Sequence, residues 1–463
     1  MKTQRQGILR PILRRIGGLL IVAGGAAWTG AAAATADTVR ILHSDGDAIQ
    51  ARVDLVQQAK QEINVSYYIV GDDDVPLLFL ALLRDAARRG VTVRLLVDGH
   101  DGNNQMPRAL QAHLQCEGVQ IQEYHPPGTP RPYWMTNRMH DKLLIVDGEH
   151  LIAGGRNMKS EYYGLDCRNF VDRDVYLRGC TAADARCYFM ARWTGCDVGP
   201  TDLDGKPIKK RVKELTHPEL NCADEASMFL AGQLLDDALR LAGQGHVARL
   251  NTGRDWSAEA REVSCIRFLH DSTCGQKTKC PGIADDVLEL LAGARCSLVL
   301  ETPYLVLSKK TKRVLGSLRC QGVRVVILTN SAQTNNHHTA HAAYENDKRW
   351  YIRHGIELWE LRGCDVHLHA KAAVIDGCIA VIGSYNFDYL SEKRNSEVAV
   401  AIYDRATAAE LRASIDVHIE RANEIGPDLR PAGYSTRYPG IDRKLLKELR
   451  RDRLIAPLLK RSL

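Results

Sequence analysis

A chain of 463 residues with 45% hydrophobic and 25% charged side chains has the composition of a globular protein long enough for two or more domains, which excludes a disordered or collagen-like chain. Its formal charge of +6 belongs mainly to the start: Lys2, Arg5, Arg10, Arg14 and Arg15 precede residue 37, leaving 57 basic against 56 acidic residues beyond it. So neutral a body argues against extensive non-specific nucleic-acid binding, which depends on many phosphate contacts.

In chain order, residues 1–36 read as a secretory signal peptide. A basic stretch ends at Arg15, an apolar run extends from Ile16 to Ala34, and Ala34-Thr35-Ala36 offers a small-x-small cleavage site that makes Asp37 the first mature residue. An uncleaved anchor is the alternative, since the run is nearly long enough to span a bilayer. The expected location is periplasmic or secreted, or at the inner membrane on the anchor reading. All 13 cysteines follow the leader. In an oxidising compartment they are expected to pair as disulfides, with an odd one left over. Cys180, Cys187 and Cys196 form one cluster and Cys265, Cys274 and Cys280 another, neither with zinc spacing.

An internal repeat follows. Residues 62–98 run INVSYYIV, LLFLALLRDAARRG, VTVRLLVD, and residues 295–330 repeat the order as CSLVLETPYLVL, KKTKRVLGSLRCQG, VRVVILTN. Strand, helix, strand in this order indicates βαβ units and a largely parallel sheet, so the fold class is α/β. The halves are placed at 37–215 and 216–430, with a basic tail at 431–463. The stretch from Thr201 to Arg261 has no repeat partner and links or elaborates them. From Arg437 to Leu463 there are nine basic and three acidic residues, and Ile441, Leu445 and Leu449 recur at helical spacing until Pro457. Such a helix either packs on its own domain or lies on an anionic membrane surface.

The sharper repeat carries chemistry. His140, Lys142, Asp147, Gly154, Gly155 and Asn157 recur as His369, Lys371, Asp376, Gly383, Ser384 and Asn386. Asp-Gly between two apolar runs is a strong hairpin signal. Residues two apart on a strand share a face, so each histidine sits beside its lysine. Folding about the turn places Gly155 opposite His140 and Ser384 opposite His369, with Asn157 and Asn386 at the same end. Imidazole, ammonium, a small residue that leaves room for substrate, and carboxamide together suit a phosphate. Asp147 lies seven extended residues from His140, roughly 23 Å at about 3.3 Å each, so it and Asp376 are read as structural. Glu397 and Asp174, each opening an apolar strand, are the candidates to orient the imidazoles. Tyr67, Tyr68 and Tyr304 end equivalent strands and either line the cleft or pack. His337 and His341 would share a helix face and could hold a metal; a polar loop and helix start is the plainer reading.

Two facing half-sites give a complete phosphodiesterase: one histidine attacks phosphorus to form a covalent phosphohistidine, and the other protonates the leaving alcohol. Two lysines and two asparagines neutralise the phosphate oxygens, so neither metal nor cofactor is called for.

At these residues the chain resembles the phospholipase D superfamily, whose mark is a paired HxKxxxxD motif. The resemblance implies two tandem α/β domains related by a pseudo-twofold axis, with the active site between them. It also implies that His140 is the nucleophile and His369 the general acid and base, and Asn395-Ser396-Glu397 matches the family's Asn-x-Glu; Asp174 is a looser match. Ser66 to Asp73, Asn137 to Lys142, Gly154 to Asn157, and ILTNS with His341 to Tyr344 are similar to the bacterial cardiolipin synthase branch. That branch implies a glycerophospholipid substrate, phosphatidyl transfer or phospholipase D hydrolysis, and peripheral contact with a membrane surface. The rival reading is a secreted endonuclease cleaving DNA. No feature sets the oligomeric state.

Overall fold

The computed structural model describes residues 36–99, 105–126, 137–201, 203, 215–273 and 282–459. The leader lies outside these residues, as do Cys274 and Cys280. The first sheet takes β1 (Asp37–Leu42), β2 (Glu62–Tyr67), β3 (Thr92–Asp98), β4 (Gln120–Tyr124), β5 (Lys142–Val146) and β6 (His150–Gly154). A short β7 (Asn169–Val171) leaves it, and β8 (Asp174–Arg178), β9 (Val198–Pro200) and β10 (Arg261–Val263) return to it. Its order is β10-β1-β8-β6-β5-β2-β3-β4-β9. The second sheet takes β11 (Ile266–His270), β12 (Ser297–Glu301), β13 (Arg324–Asn330) and β14 (Glu357–Leu361). After β15 (Val366–Leu368) it continues with β16 (Ala372–Ile375), β17 (Ile379–Gly383), β18 (Val398–Ile402) and β19 (Ala422–Glu424). The order is β11-β18-β17-β16-β12-β13-β14-β19. Both sheets are mixed, with β2-β3-β4 and β12-β13-β14 running parallel.

The helices follow from apolar spacing and caps. Helix Asp45–Gln58 starts at Ser44, whose Oγ accepts from the Asp47 N–H at 2.9 Å, and helix Lys309–Cys320 starts at Ser308, which takes the N–H groups of Lys310 and Thr311 at 3.1 Å. Helices cover the outer face of each sheet. Between the sheets lies one shared core, in which Tyr188 and Phe189 of helix Cys180–Trp193 and Leu411 and Ile415 of helix Arg405–Glu420 join inward side chains of both sheets. The two halves are thus layered face to face on common apolar material.

Three expectations need correction. The sheets change over near residue 264 rather than at 215/216: helix Glu225–Gly243 packs on helices Asp74–Arg88 and Arg108–Cys116 of the first half, and β10 pairs with β1. A buried Arg84 helps hold that helix, donating to Asp236 at 2.7 Å. The eleven described cysteines are all free, against the expected pairing. Cys180 and Cys187 fall on one helix, two turns and about 10 Å apart along its axis, further than a disulfide spans. Finally, Pro457 does not stop the last helix, which runs Arg443–Leu459 through it.

Candidate active site

Each His-x-Lys segment enters a hairpin, but the register differs by one from the expected two-residue turn. Val146 pairs with His150 and Ile375 with Ile379, so the loops are Asp147-Gly148-Glu149 and Asp376-Gly377-Cys378. Asp147 and Gly148 have φ of 53° and 67°, and Asp376 and Gly377 52° and 63°. A slip of one residue moves a side chain to the other face of the strand. Gly155 is therefore not opposite His140, nor Ser384 opposite His369. Both motif aspartates tie the turn to the neighbouring strand. Asp147 accepts from the N–H groups of Lys60, Gln61 and Glu62 at 3.0, 2.8 and 3.0 Å. Asp376 accepts from those of Arg295, Cys296 and Ser297 at 2.8, 2.7 and 2.8 Å.

The halves exchange acids. His140, in the first half, bonds through Nδ1 to Glu397 Oε2 of the second at 2.8 Å. His369, in the second half, bonds through Nδ1 to Asp172 Oδ2 of the first at 2.6 Å. The backbone fixes both crossings: His140 N–H donates to Ser396 O and His369 N–H to Val171 O, each at 2.8 Å, and β15 pairs in parallel with β7. A carboxylate on Nδ1 sets the tautomer and leaves Nε2 for substrate. Tyr68 meets the His140 ring edge-on at 4.8 Å, and Tyr162 and Phe170 meet the His369 ring at 5.2 Å. Lys142 donates to His140 O at 2.7 Å and lies 5.1 Å over the Tyr68 ring. Lys371 donates to His369 O and lies 3.0 Å from its Nε2.

The two histidines, two lysines and two acids are all buried, and burial dominates their electrostatics. It pushes Lys142 down to about 7, with Glu397 pulling up and Lys371 pushing down further. Lys371 comes down to about 8 by burial, against the pull of Asp172 and Glu397. His369 falls to about 3, through burial and then Lys371, with Asp172 opposing; His140 is lowered by burial against the pull of Glu397. Burial alone would raise the two acids, but His140 holds Glu397 at about 2, and His369 and Lys371 hold Asp172 well below the usual range. Lys142 feels the charge of Lys371 although the two come from different halves. The half-sites thus meet as one buried centre in which two lysines and two imidazoles face two carboxylates.

The family model for "Cardiolipin synthase, PLD-like domain" matches residues 53–171 and 287–419, once over each half-site. The chain belongs to the cardiolipin synthase family. Among its relatives, cardiolipin synthase C of Escherichia coli K12 is 28% identical over 78% of this chain and 80% of its own. Cardiolipin synthase 1 of Bacillus anthracis is 24% identical over 93% of this chain and 74% of its own. In fold, the chain resembles the crystal structure of phosphatidylserine synthase from Haemophilus influenzae Rd KW20, with a TM-score of 0.65 at 16% identity over 92% of this chain and 97% of that one.

Against this cardiolipin synthase frame, several residues take other places than the sequence suggested. Asp174 orients no histidine: it is the buried counter-ion of Arg52 at 2.9 Å and Arg156 at 3.4 Å. Asp172, two residues earlier, takes the role expected of it. The signal was in the register, since Gly154 pairs with Asp174 while Gly155 N–H bonds Arg173 O and Ser384 N–H bonds Val398 O, which equates Asp172 with Glu397. Gly155 and Ser384 do not open onto substrate. A Cβ on Gly155 would lie 2.1 Å from Asp172 Oδ1, so its smallness makes room for the acid. Ser384 Oγ donates to Glu397 Oε2 at 2.6 Å.

The asparagines differ too. Asn157 donates to Tyr162 Oη at 2.8 Å and accepts from the Ile69 N–H at 3.2 Å, while Asn386 Oδ1 is buried without a partner. Asp388, not singled out by the sequence, is raised to about 7 by burial and by Glu397, with Lys371 opposing. Tyr67 donates nothing to the cleft; its hydroxyl takes Arg52 Nε at 2.9 Å. Tyr304 donates to Asn336 at 2.8 Å. His337 caps helix His338–Arg353 and His341 is buried within it. Among the described residues no group of His, Cys, Asp and Glu is arranged to hold a metal.

Proposed function

We propose that the protein is a phosphatidyltransferase that moves a phosphatidyl group between alcohols, as the names of its cardiolipin synthase relatives suggest. The observation that carries this reading is the pair of imidazoles, each locked by a carboxylate from the opposite half over two buried lysines. Nε2 of His140, taking the family's order, attacks phosphorus. A P–N bond forms as the bond to the first alcohol breaks, and His369 gives its proton to that leaving oxygen. His369 takes up this proton from solvent as the phosphodiester anion binds and offsets the Lys371 charge. The acceptor alcohol then loses its proton to His369 and attacks, and the P–N bond breaks. Lys142 and Lys371 supply positive charge to the phosphoryl oxygens, so the reading needs no metal. With water as acceptor the same steps give phospholipase D hydrolysis.

The substrate is a glycerophospholipid, met at a membrane surface outside the cytoplasm if the leader directs export. The test is mass spectrometry of lipids after incubating the protein with phosphatidylglycerol and phosphatidylethanolamine vesicles, with chelator present. Cardiolipin absent from a His140→Asn control supports transfer. Phosphatidic acid alone makes it a hydrolase, and His140-dependent cleavage of DNA without lipid turnover makes it a nuclease.

A further inference from the structure

The last helix, Arg443–Leu459, turns Leu449, Asp452 and Ala456 inward onto helix His338–Arg353. It is pinned there by Arg453 and Asn346, which bond each other through Nε to Oδ1 at 3.1 Å and Nδ2 to the backbone O at 2.9 Å. Its outer face is different. Arg443, Lys444, Lys447, Arg450 and Arg451 are all exposed. Arg451 is paired with Asp452 at 2.8 Å, and the other four form no ion pair among the described residues. A solvated helix face usually interleaves acids with bases, but here Asp452 is buried and Glu448 half-buried. Beyond the cations come Leu454 at 80% exposure and Ile455 at 39%. Leu454 is the most exposed large hydrophobic side chain among the described residues.

The apolar end of this helix sits close to the active site. Ala456 packs in a cluster with Val306, Ala340, Ala343 and Tyr304, and Val306 N–H donates to the carbonyl of Phe387 at 3.1 Å, next to Asn386. From the first half, Leu165 is 47% exposed, three residues after the Tyr162 that meets His369. Cations followed by apolar side chains near the catalytic groups match a surface whose outer layer is anionic and whose interior is apolar.

We propose that the outer face of helix Arg443–Leu459 docks on an anionic phospholipid bilayer, with its cations on headgroup phosphates and Leu454 and Ile455 entering the interface. This holds the active site against the layer that supplies its substrate, and so rests on the lipid reading above. The test is co-sedimentation of the full chain with phosphatidylcholine vesicles, with and without roughly 30% phosphatidylglycerol, at low and high salt. Each cation near such a surface is worth about fivefold in partitioning. The K444Q/K447Q/R450Q variant should therefore bind on the order of a hundredfold more weakly. L454S/I455S should bind more weakly as well, and salt should weaken the wild type. A control replacing Arg295, Arg405 and Arg421, three exposed cations elsewhere, should bind as the wild type does. All variants should keep the wild-type melting temperature and turnover of a short-chain phosphatidylglycerol below its micelle concentration.

The proposal is overturned if the triple variant sediments like wild type, if neutral vesicles bind as well, or if the control loses as much. It also falls if the face retains a DNA duplex but no vesicle. Helix-dependent vesicle binding without any lipid turnover would leave the docking standing and sink the reaction instead.

Discussion

Replacing Asp172 by asparagine keeps the shape of the His369 pocket but removes the charge behind the ring. The bond it breaks is 2.6 Å long and fully buried. Charged hydrogen bonds contribute about 1.5–3 kcal/mol, and removing one partner of a buried pair costs about 3–5 kcal/mol. The imidazolium formed during proton transfer leans on Asp172 more than the resting ring does, so the larger range applies to the barrier. At about 1.4 kcal/mol per decade, kcat/KM should fall between roughly a hundredfold and a few thousandfold. Asp174→Asn is the matched comparison, two residues away and paired with arginines rather than with a histidine. It leaves the buried Arg52 without its counter-ion and Arg156 with Asp45 alone, so the loss of about 3–5 kcal/mol appears in stability instead. The assay is the initial rate of phosphatidylglycerol conversion by mass spectrometry, beside thermal denaturation followed by circular dichroism. If Asp172→Asn stays within about threefold of wild type while Asp174→Asn abolishes turnover at an unchanged melting temperature, the assignment of the acids is wrong.

Two more outcomes follow from the site. Because Lys142 and Lys371 are pushed down to about 7 and about 8 from an unfolded value near 10.4, the unfolded chain binds more protons between those limits, and stability should rise with pH from about 7 towards 10. Lys142→Met should flatten that rise in urea melts taken across the window; an unchanged slope would mean that Lys142 titrates normally. Asp147→Ala gives up three accepted backbone N–H bonds at the rim of the sheet. Urea unfolding should show a loss of about 1–3 kcal/mol with kcat nearly intact, and a large fall in kcat at unchanged stability would return Asp147 to the chemistry.

What was legible in the sequence was local. The repeated His-x-Lys, the Asp-Gly turn and the apolar runs fix each hairpin within some twenty residues, so the paired motif and the α/β units could be read directly. The acid for His369 could not. Asp172 and Asp174 are two acids only two residues apart, and only the pairing of Gly154 with Asp174 shows that Asp172 lies beyond the ladder, where it reaches the other half. The hairpin register was missed for a similar reason: positive φ at Asp147 and Gly148 is compatible with loops of two or three residues. The boundary was missed because residues 216–263 are held by tertiary contacts, and β10 is only three residues long. Free cysteines in their place on one helix carry no sequence mark at all.

The exchange of acids also sets an order in time. Domains fold as units, the earlier ones first, as a chain emerges from the ribosome. When the first sheet is complete at Val263, His140 is already in place but Glu397 has yet to be made. Asp172 is equally ready and has no histidine to orient until residue 369 appears. Neither half can form the crossed histidine–carboxylate pairs by itself, so a truncated or stalled chain lacks a complete centre. Completion of the centre therefore waits on the second half of the chain.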